Sequence, residues 1–192
     1  MELTAAGVGG WVALGIAAVV LFAVLAIYNT LVRLRNLIKE SWSDVETELK
    51  RRHELIPNLV AAVKGYMKYE KDLLEKVTRL RSKLESTDAP PKERARDESE
   101  LARGLKRLFA VVENYPELKA SRNLKELQDE LVRTEDRIQA ARRFYNGNVR
   151  DYNIRVESVP SNLIAALFGF EKADYFEIEE ISERDLPKLD MK

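Results

Sequence analysis

The stretch "LKELQDELVRTEDRIQAARRFYNGNVRDY", residues 124–152, decides what kind of fold this chain adopts. Leu124, Leu127, Leu131, Thr134, Ile138, Ala141, Tyr145, Asn148 and Tyr152 recur in alternating steps of three and four, the spacing of one helix face packed along another. Ser121 offers an N-cap before it, and Pro160 stops it. Toward the N-terminus the same spacing runs through Leu31, Leu34, Ile38, Trp42, Val45, Leu49, Ile56 and Val63, then Leu73, Val77, Leu80 and Leu84. No cluster of Gly, Pro or Asn interrupts it before "STDAPPKE" at 86–93, so one first helix is expected over 28–84. A second helix from Lys92 carries Leu101, Leu105, Leu108, Phe109 and Val112 inward and ends before Pro116. "PSNLIAALFGF", 160–170, reads as a short helix capped by Ser161 or Asn162 and closed by Gly169.

The other decisive run is "VGGWVALGIAAVVLFAVLAIY", 8–28, about the ~20 apolar residues that cross a bilayer as a helix. Trp11 and Tyr28 stand near its two ends, where amphipathic rings prefer the interface. Val24 and Ala26 have the spacing of a cleavage site, but "MELTAAG" lacks a basic leader and the apolar stretch is too long for a signal peptide. Arg33, Arg35 and Lys39 follow the span, which places the C-terminal part in the cytoplasm and the short N-terminus outside, although Glu40 and Asp44 interrupt the basic cluster. The fold class is therefore all-α: an N-terminal transmembrane helix, then an antiparallel bundle of three long helices plus one short, of the four-helix up-and-down type. Three segments result: the N-terminal anchor over 1–28, the bundle over 29–172, and an acidic, loosely ordered tail over 173–192 with only a brief strand-like "YFEIEE".

Composition narrows the function. The chain has 192 residues, no cysteine and one histidine, so disulfides, thiolate metal sites and a cysteine nucleophile are excluded. Its 32 basic residues match 32 acidic ones, which removes the main argument for a nucleic-acid partner.

Two separated blocks carry a family resemblance. "YNTLVRLRNLIKESWSDVETELKRRHELIPNLVAAVKGY", 28–66, and "AARRFYNGNVRDYNIRVESVPSNLIAALFGF", 140–170, resemble the LemA family of bacterial membrane proteins over about 28–176. That resemblance implies an N-terminal anchor, a four-helix bundle, and an N-out, C-in topology. It implies no activity and no cofactor. One branch of the family is associated with magnetosome membranes, and nothing in the sequence points to that branch.

His53, the lone histidine, invites a search for chemistry. In "HELIP" Pro57 occupies the position where a zinc-protease helix has its second histidine, and no other histidine exists. Acid–base work by His53 lacks a partner fixed by sequence, so no catalytic, cofactor or metal residue is assigned and the chain is read as a non-enzyme. Pro57 cannot donate to the carbonyl of His53, so a bend is expected there, with the freed carbonyl met by water or a polar side chain. Asn58 and Arg52 are local candidates, Asn148 and Asn153 distant ones.

In "FYNGNVRDYN", Tyr145 with Asn146 and Tyr152 with Asn153 repeat at seven residues, and Asn148 falls on the inward seam. Such a layer pins helix register or binds a ligand or partner segment, and Gly147 there costs about 1 kcal/mol against alanine unless something packs close. Gly9, Ala13 and Ala17 form a small-residue row suited to packing of membrane helices, so self-association is expected. Leu163, Ile164, Leu167, Phe168 and Phe170 either seal the bundle end or dip into a membrane surface. The resulting reading is a membrane-anchored scaffold or adaptor with unknown protein partners. Its rivals are an enzyme or ligand-binding protein using His53, Asn148 and Asn153, and a relay through the Pro57 hinge.

Overall fold

The structure, a computed structural model, describes residues 2–67, 69–86 and 89–177, with side chains from residue 10. Among these it is all helical: α1 Glu2–Lys64, α2 Lys71–Ser86, α3 Pro91–Val112, the single turn α4 Pro116–Lys119, α5 Arg122–Glu157 and α6 Ser161–Leu167. The helix expected over 28–84 is thus two helices. Gly65, the poorest helix former after proline, follows the last residue of α1, and the Tyr66 and Met67 amides both fold back on the Val63 carbonyl at 3.0 Å. Met67 is buried in the turn, so apolar spacing continues across a chain reversal and hides it from the periodicity.

The described residues divide into two compact units, 2–40 with 147–173 and 41–146 with 174–177. In the first, α1 is apolar on every side: Trp11, Leu14, Ile16, Val19, Leu21 and Phe22 are all exposed. It is the one helix among the described residues long and apolar enough to cross a membrane. Past that stretch Leu31, Val149, Tyr152, Ala165 and Phe170 are buried. Gly169 takes φ +68°, a left-handed turn that a side chain would strain, and the Phe170 amide donates to the Ala165 carbonyl at 2.9 Å, closing α6 as its sequence indicated. Its expected cap does not form: the Ser161 hydroxyl donates back to the Arg155 and Ser158 carbonyls at 2.6 and 2.9 Å.

The second unit holds a core of Ile56, Leu59, Val63, Val77, Leu101 and Leu108, joined by Leu118, Leu124 and Leu131. Lys83 meets Asp97 at 2.7 Å, and a Cβ on Gly104 would lie 3.1 Å from Val77, so α2 and α3 run in opposite directions and the glycine permits their close approach. The inward positions of α5 are buried as its spacing requires, from Leu124 through Leu131, Thr134, Ile138 and Tyr145. Ser121 does act as its cap, accepting from the Leu124 amide at 3.4 Å.

Candidate functional site

Two positions that periodicity reserves for leucine carry charges instead. On α1 the buried series Val45, Leu49, Ile56 and Val63 has Arg52 at its missing step, and three residues before Leu101 on α3 stands Glu98. Their side chains are 1% and 0% exposed. The Arg52 Nη2 donates to the Glu98 carboxylate, and its Nη1 donates to Glu135 of α5 at 2.9 Å. His53 is buried beside them, its Nε2 3.2 and 3.3 Å from the two Glu98 oxygens. Facing an ionised carboxylate, that nitrogen carries the proton. Arg94, one turn before Glu98, places Nε 3.6 Å from the same carboxylate and reaches Glu46 of α1 at 3.0 Å.

Electrostatics make this cluster a fixed set of charges. Burial opposes ionisation of Glu98, but the hydrogen bond from His53 and the charge of Arg52 outweigh it and hold the carboxyl below its ordinary value. Burial likewise opposes charge on Arg52, and Glu98 with Glu135 overcomes it, so the guanidinium is held above its ordinary value. A carboxylate kept ionised and engaged by its neighbours is a poor proton donor, and at 0% exposure no solute reaches it unless α1 or α3 moves.

Pro57 lies within α1, which continues as helix to Lys64. The His53 carbonyl it frees is met by a polar side chain from a facing helix, though by none of the four candidates: Arg81 of α2 donates from Nε at 3.2 Å. Asn58 is exposed. The partner of Arg52 is the carboxylate pair, and those of Asn153 are described next.

"FYNGNVRDYN" does hold a segment, and it is the chain's own. In the second unit the Tyr145 hydroxyl donates to the Asp174 carbonyl at 2.8 Å. The Asn146 amide both donates to the Phe176 carbonyl at 3.1 Å and accepts its N–H at 2.9 Å. Phe176, 0% exposed, packs its ring 5.2 Å from Trp42, which in turn lies 5.3 Å from Tyr145. Burial and the nearby Asp174 charge push the Tyr145 phenol up to about 12. In the first unit Asn153 treats Ala173 in the same paired way, at 3.0 and 2.9 Å. Each asparagine amide therefore stands in for a strand backbone, offering one donor and one acceptor to an extended chain. Asn148 and Tyr152 are buried, the Asn148 amide nitrogen without a hydrogen-bond partner among the described residues. Nothing lies within 4 Å of a Cβ built on Gly147, so no close approach explains that glycine. Ala13 and Ala17, with Gly9, lie on the apolar stretch of α1, the alanines exposed.

Sequence reasoning missed Glu98, Glu135, Arg94, Arg81 and Phe176. The signal for two cluster members was present: a seven-residue gap in the α1 seam at 52, and a seam on α3 that extends back through Glu98 to Ala95.

A family model described as the LemA family matches residues 41–191. The chain belongs to the LemA family. Protein LemA of Metamycoplasma hominis is 27% identical over 164 residues, covering 85% of this chain and 75% of that protein. Magnetosome protein MamQ 2 of Paramagnetospirillum magneticum is 41% identical over 73 residues, and magnetosome protein MamQ of Magnetospirillum gryphiswaldense 35% over 72, each covering 38% of this chain. These matches span 27% and 26% of the magnetosome proteins, so the expectation that nothing points to that branch is corrected: similarity to it exists over a short segment. Family membership and the apolar stretch of α1 together make this a membrane-associated helical protein of unestablished activity, and the names of its relatives carry no catalytic role.

Proposed function

We propose that the chain is a membrane-anchored helical scaffold rather than an enzyme, with 1–28 as anchor, the bundle over 29–172 in the cytoplasm, and the tail over 173–192 following it. The observation that carries this reading is the sealing of the Arg52–Glu98 cluster: these buried charges are spent on holding α1, α3 and α5 together. Its pairings support a four-helix up-and-down bundle made of α1, α2, α3 and α5. Residues 46 and 52 of α1 meet 94 and 98 of α3 in the same order, whereas 42 and 52 meet 145 and 135 of α5 in the opposite order. An enzyme built on His53, Asn148 and Asn153 would need those groups open to a solute, and His53 and Asn153 already hold internal partners.

Self-association through Gly9, Ala13 and Ala17 belongs to the same proposal. The chain has no cysteine, so single cysteines can be placed at these positions and crosslinked in intact membranes. Covalent dimers are expected at Gly9, Ala13 and Ala17 and not on the opposite side of the span at Trp11 or Phe22. Equal yields at all five, or none, would refute the small-residue interface. Labelling of a cysteine in the tail from outside the cell would refute the orientation.

A further inference from the structure

Within the first unit, α6 is turned inside out for a water-facing helix. Ser161 and Ala165, four residues apart, are buried, while Leu163 and Leu167, also four apart, are 67% and 73% exposed. Val159 before the helix and Phe168 after it are exposed as well. A surface helix in water buries its large apolar face and shows its small or polar one. Rotation cannot repair this, because the Ser161 hydroxyl is tied to the Arg155 and Ser158 carbonyls and Phe170 is tucked under by the Gly169 turn. The register of α6 is fixed with its leucines outward.

The position of this face tells what covers it. The Phe168 ring lies 4.9 Å from Tyr28 and the Phe170 ring 5.6 Å, and Tyr28 is the aromatic residue that ends the apolar stretch of α1. Exposed Phe168 therefore sits at the level where the span leaves the hydrocarbon, beside a helix surface that is itself apolar and exposed. In the same unit a groove of about 370 Å³ has exposed Arg33 and Arg155 in its lining together with Asp151, whose carboxylate is paired with the adjacent Arg150. Apolar side chains at interface level with guanidiniums alongside match the acyl boundary and phosphate layer of an anionic bilayer.

We propose that residues 159–168 form a second membrane contact, in which Leu163, Leu167 and Phe168 dip into the interfacial layer of the bilayer that holds α1 while Arg33 and Arg155 meet lipid phosphates. The contact rests on the anchor reading, since tethering by α1 is what keeps α6 at the membrane surface. It makes the protein a two-point membrane binder, with α1 crossing the bilayer and α6 resting at its interface.

The test places a nitrobenzoxadiazole probe on one introduced cysteine in the full chain, reconstituted at one chain per nanodisc of phosphatidylcholine with one-third phosphatidylglycerol. Probes at Leu163→Cys, Ile16→Cys and Lys125→Cys are read by emission maximum and by quenching from nitroxide-labelled lipid. Ile16 reports the anchor, and exposed Lys125 on α5 reports water. The expected result is blue-shifted emission and at least threefold more lipid quenching at Leu163 than at Lys125, reduced by half or more in L167S/F168S with the helical signal retained. A Leu163 probe that behaves like Lys125 while Ile16 is quenched overturns the second contact and leaves the anchor standing. An unquenched Ile16 overturns the anchor and this contact with it. Protection of Leu163 that appears only with two chains per disc assigns the face to another copy and overturns the proposal. Equal quenching in discs of phosphatidylcholine alone overturns the role given to Arg33 and Arg155.

Discussion

Replacing Glu98 with glutamine keeps the shape of the side chain and deletes its charge, which isolates what the buried cluster contributes. In Glu98→Gln, Arg52 keeps Glu135, whose side chain is 36% exposed, but loses the partner that sits with it in the interior. Removing one member of a buried pair costs about 3–5 kcal/mol, and the surviving Glu135 contact puts the expectation at the lower end, near ~3 kcal/mol. For a chain of this size each kcal/mol moves the melting temperature by roughly 2–4 °C, so a drop of about 6–12 °C is expected in a circular-dichroism melt of the full chain in nanodiscs. The double variant Arg52→Met/Glu98→Leu removes both charges and should melt within ~1 kcal/mol of the parent, because a buried ion pair rarely outperforms apolar packing. If the double variant lost as much as the single one, the loss would come from packing, and the electrostatic reasoning would fail.

The same charge fixes a pH dependence. The folded-state pKa of Glu98 is lowered from the ordinary 4.5, so in the window below that value the folded chain binds fewer protons than the unfolded chain. Its contribution is complete above about 4.5 and fades as the pH falls through the folded value. The stability gap between the parent and Glu98→Gln should therefore narrow below pH ~4.5. A gap unchanged down to pH 3 would contradict the assignment.

Three further outcomes follow from single contacts. Phe176→Ala should destabilise by about 3–5 kcal/mol and expose residues 171–177 to limited proteolysis, as expected for a fully buried aromatic; cleavage at the parental rate would deny that Phe176 holds this segment. Gly147→Ala should raise stability by about 1 kcal/mol in urea titration, since the site is helical and open; a decrease would reveal a close neighbour. Arg81→Ala should cost about 1–3 kcal/mol by leaving the His53 carbonyl unpaired, and restoring that loss with Pro57→Ala, which returns the helical donor, would establish the link between the proline and the arginine.

Periodicity carried most of the helices and little of the site, for a physical reason visible in particular residues. Spacing reports which side chains face inward, and it placed Leu101, Leu108, Ile138 and Tyr145 correctly because apolar burial needs no specific partner. It failed at Gly65, where Val63 and Met67 keep the apolar rhythm while the backbone reverses. Asn146 and Asn153 were legible as a repeated polar layer, yet their partners lie 30 and 20 residues downstream in an extended segment without periodicity of its own. A polar group's need for a partner is local, but the partner's position is a product of the fold. Arg81 shows the same: Pro57 announced a free carbonyl on His53, and only the reversal of direction from α1 to α2 brings residue 81 back beside it.

That distinction also explains why charges sit on an apolar seam at all. Leucine-rich faces of α1, α3 and α5 repeat every seven residues, so sliding one helix by a heptad would bury nearly the same area and offers a competing register. Arg52 removes the ambiguity. A seven-residue slip of α3 would set it against Pro91 or Leu105 in place of Glu98, and the same slip of α5 would offer Gln128 or Arg142 in place of Glu135. Each alternative takes one of its two carboxylates from a buried guanidinium or sets it against another cation, a penalty near the ~3 kcal/mol expected for Glu98→Gln against an almost unchanged apolar term. The apolar seams make the helices pack, and the buried ions choose which of the near-equivalent packings survives. On this argument Arg52→Met/Glu98→Leu should be as stable as the parent yet less uniquely packed, visible as faster hydrogen exchange along α3 with an unchanged melting temperature.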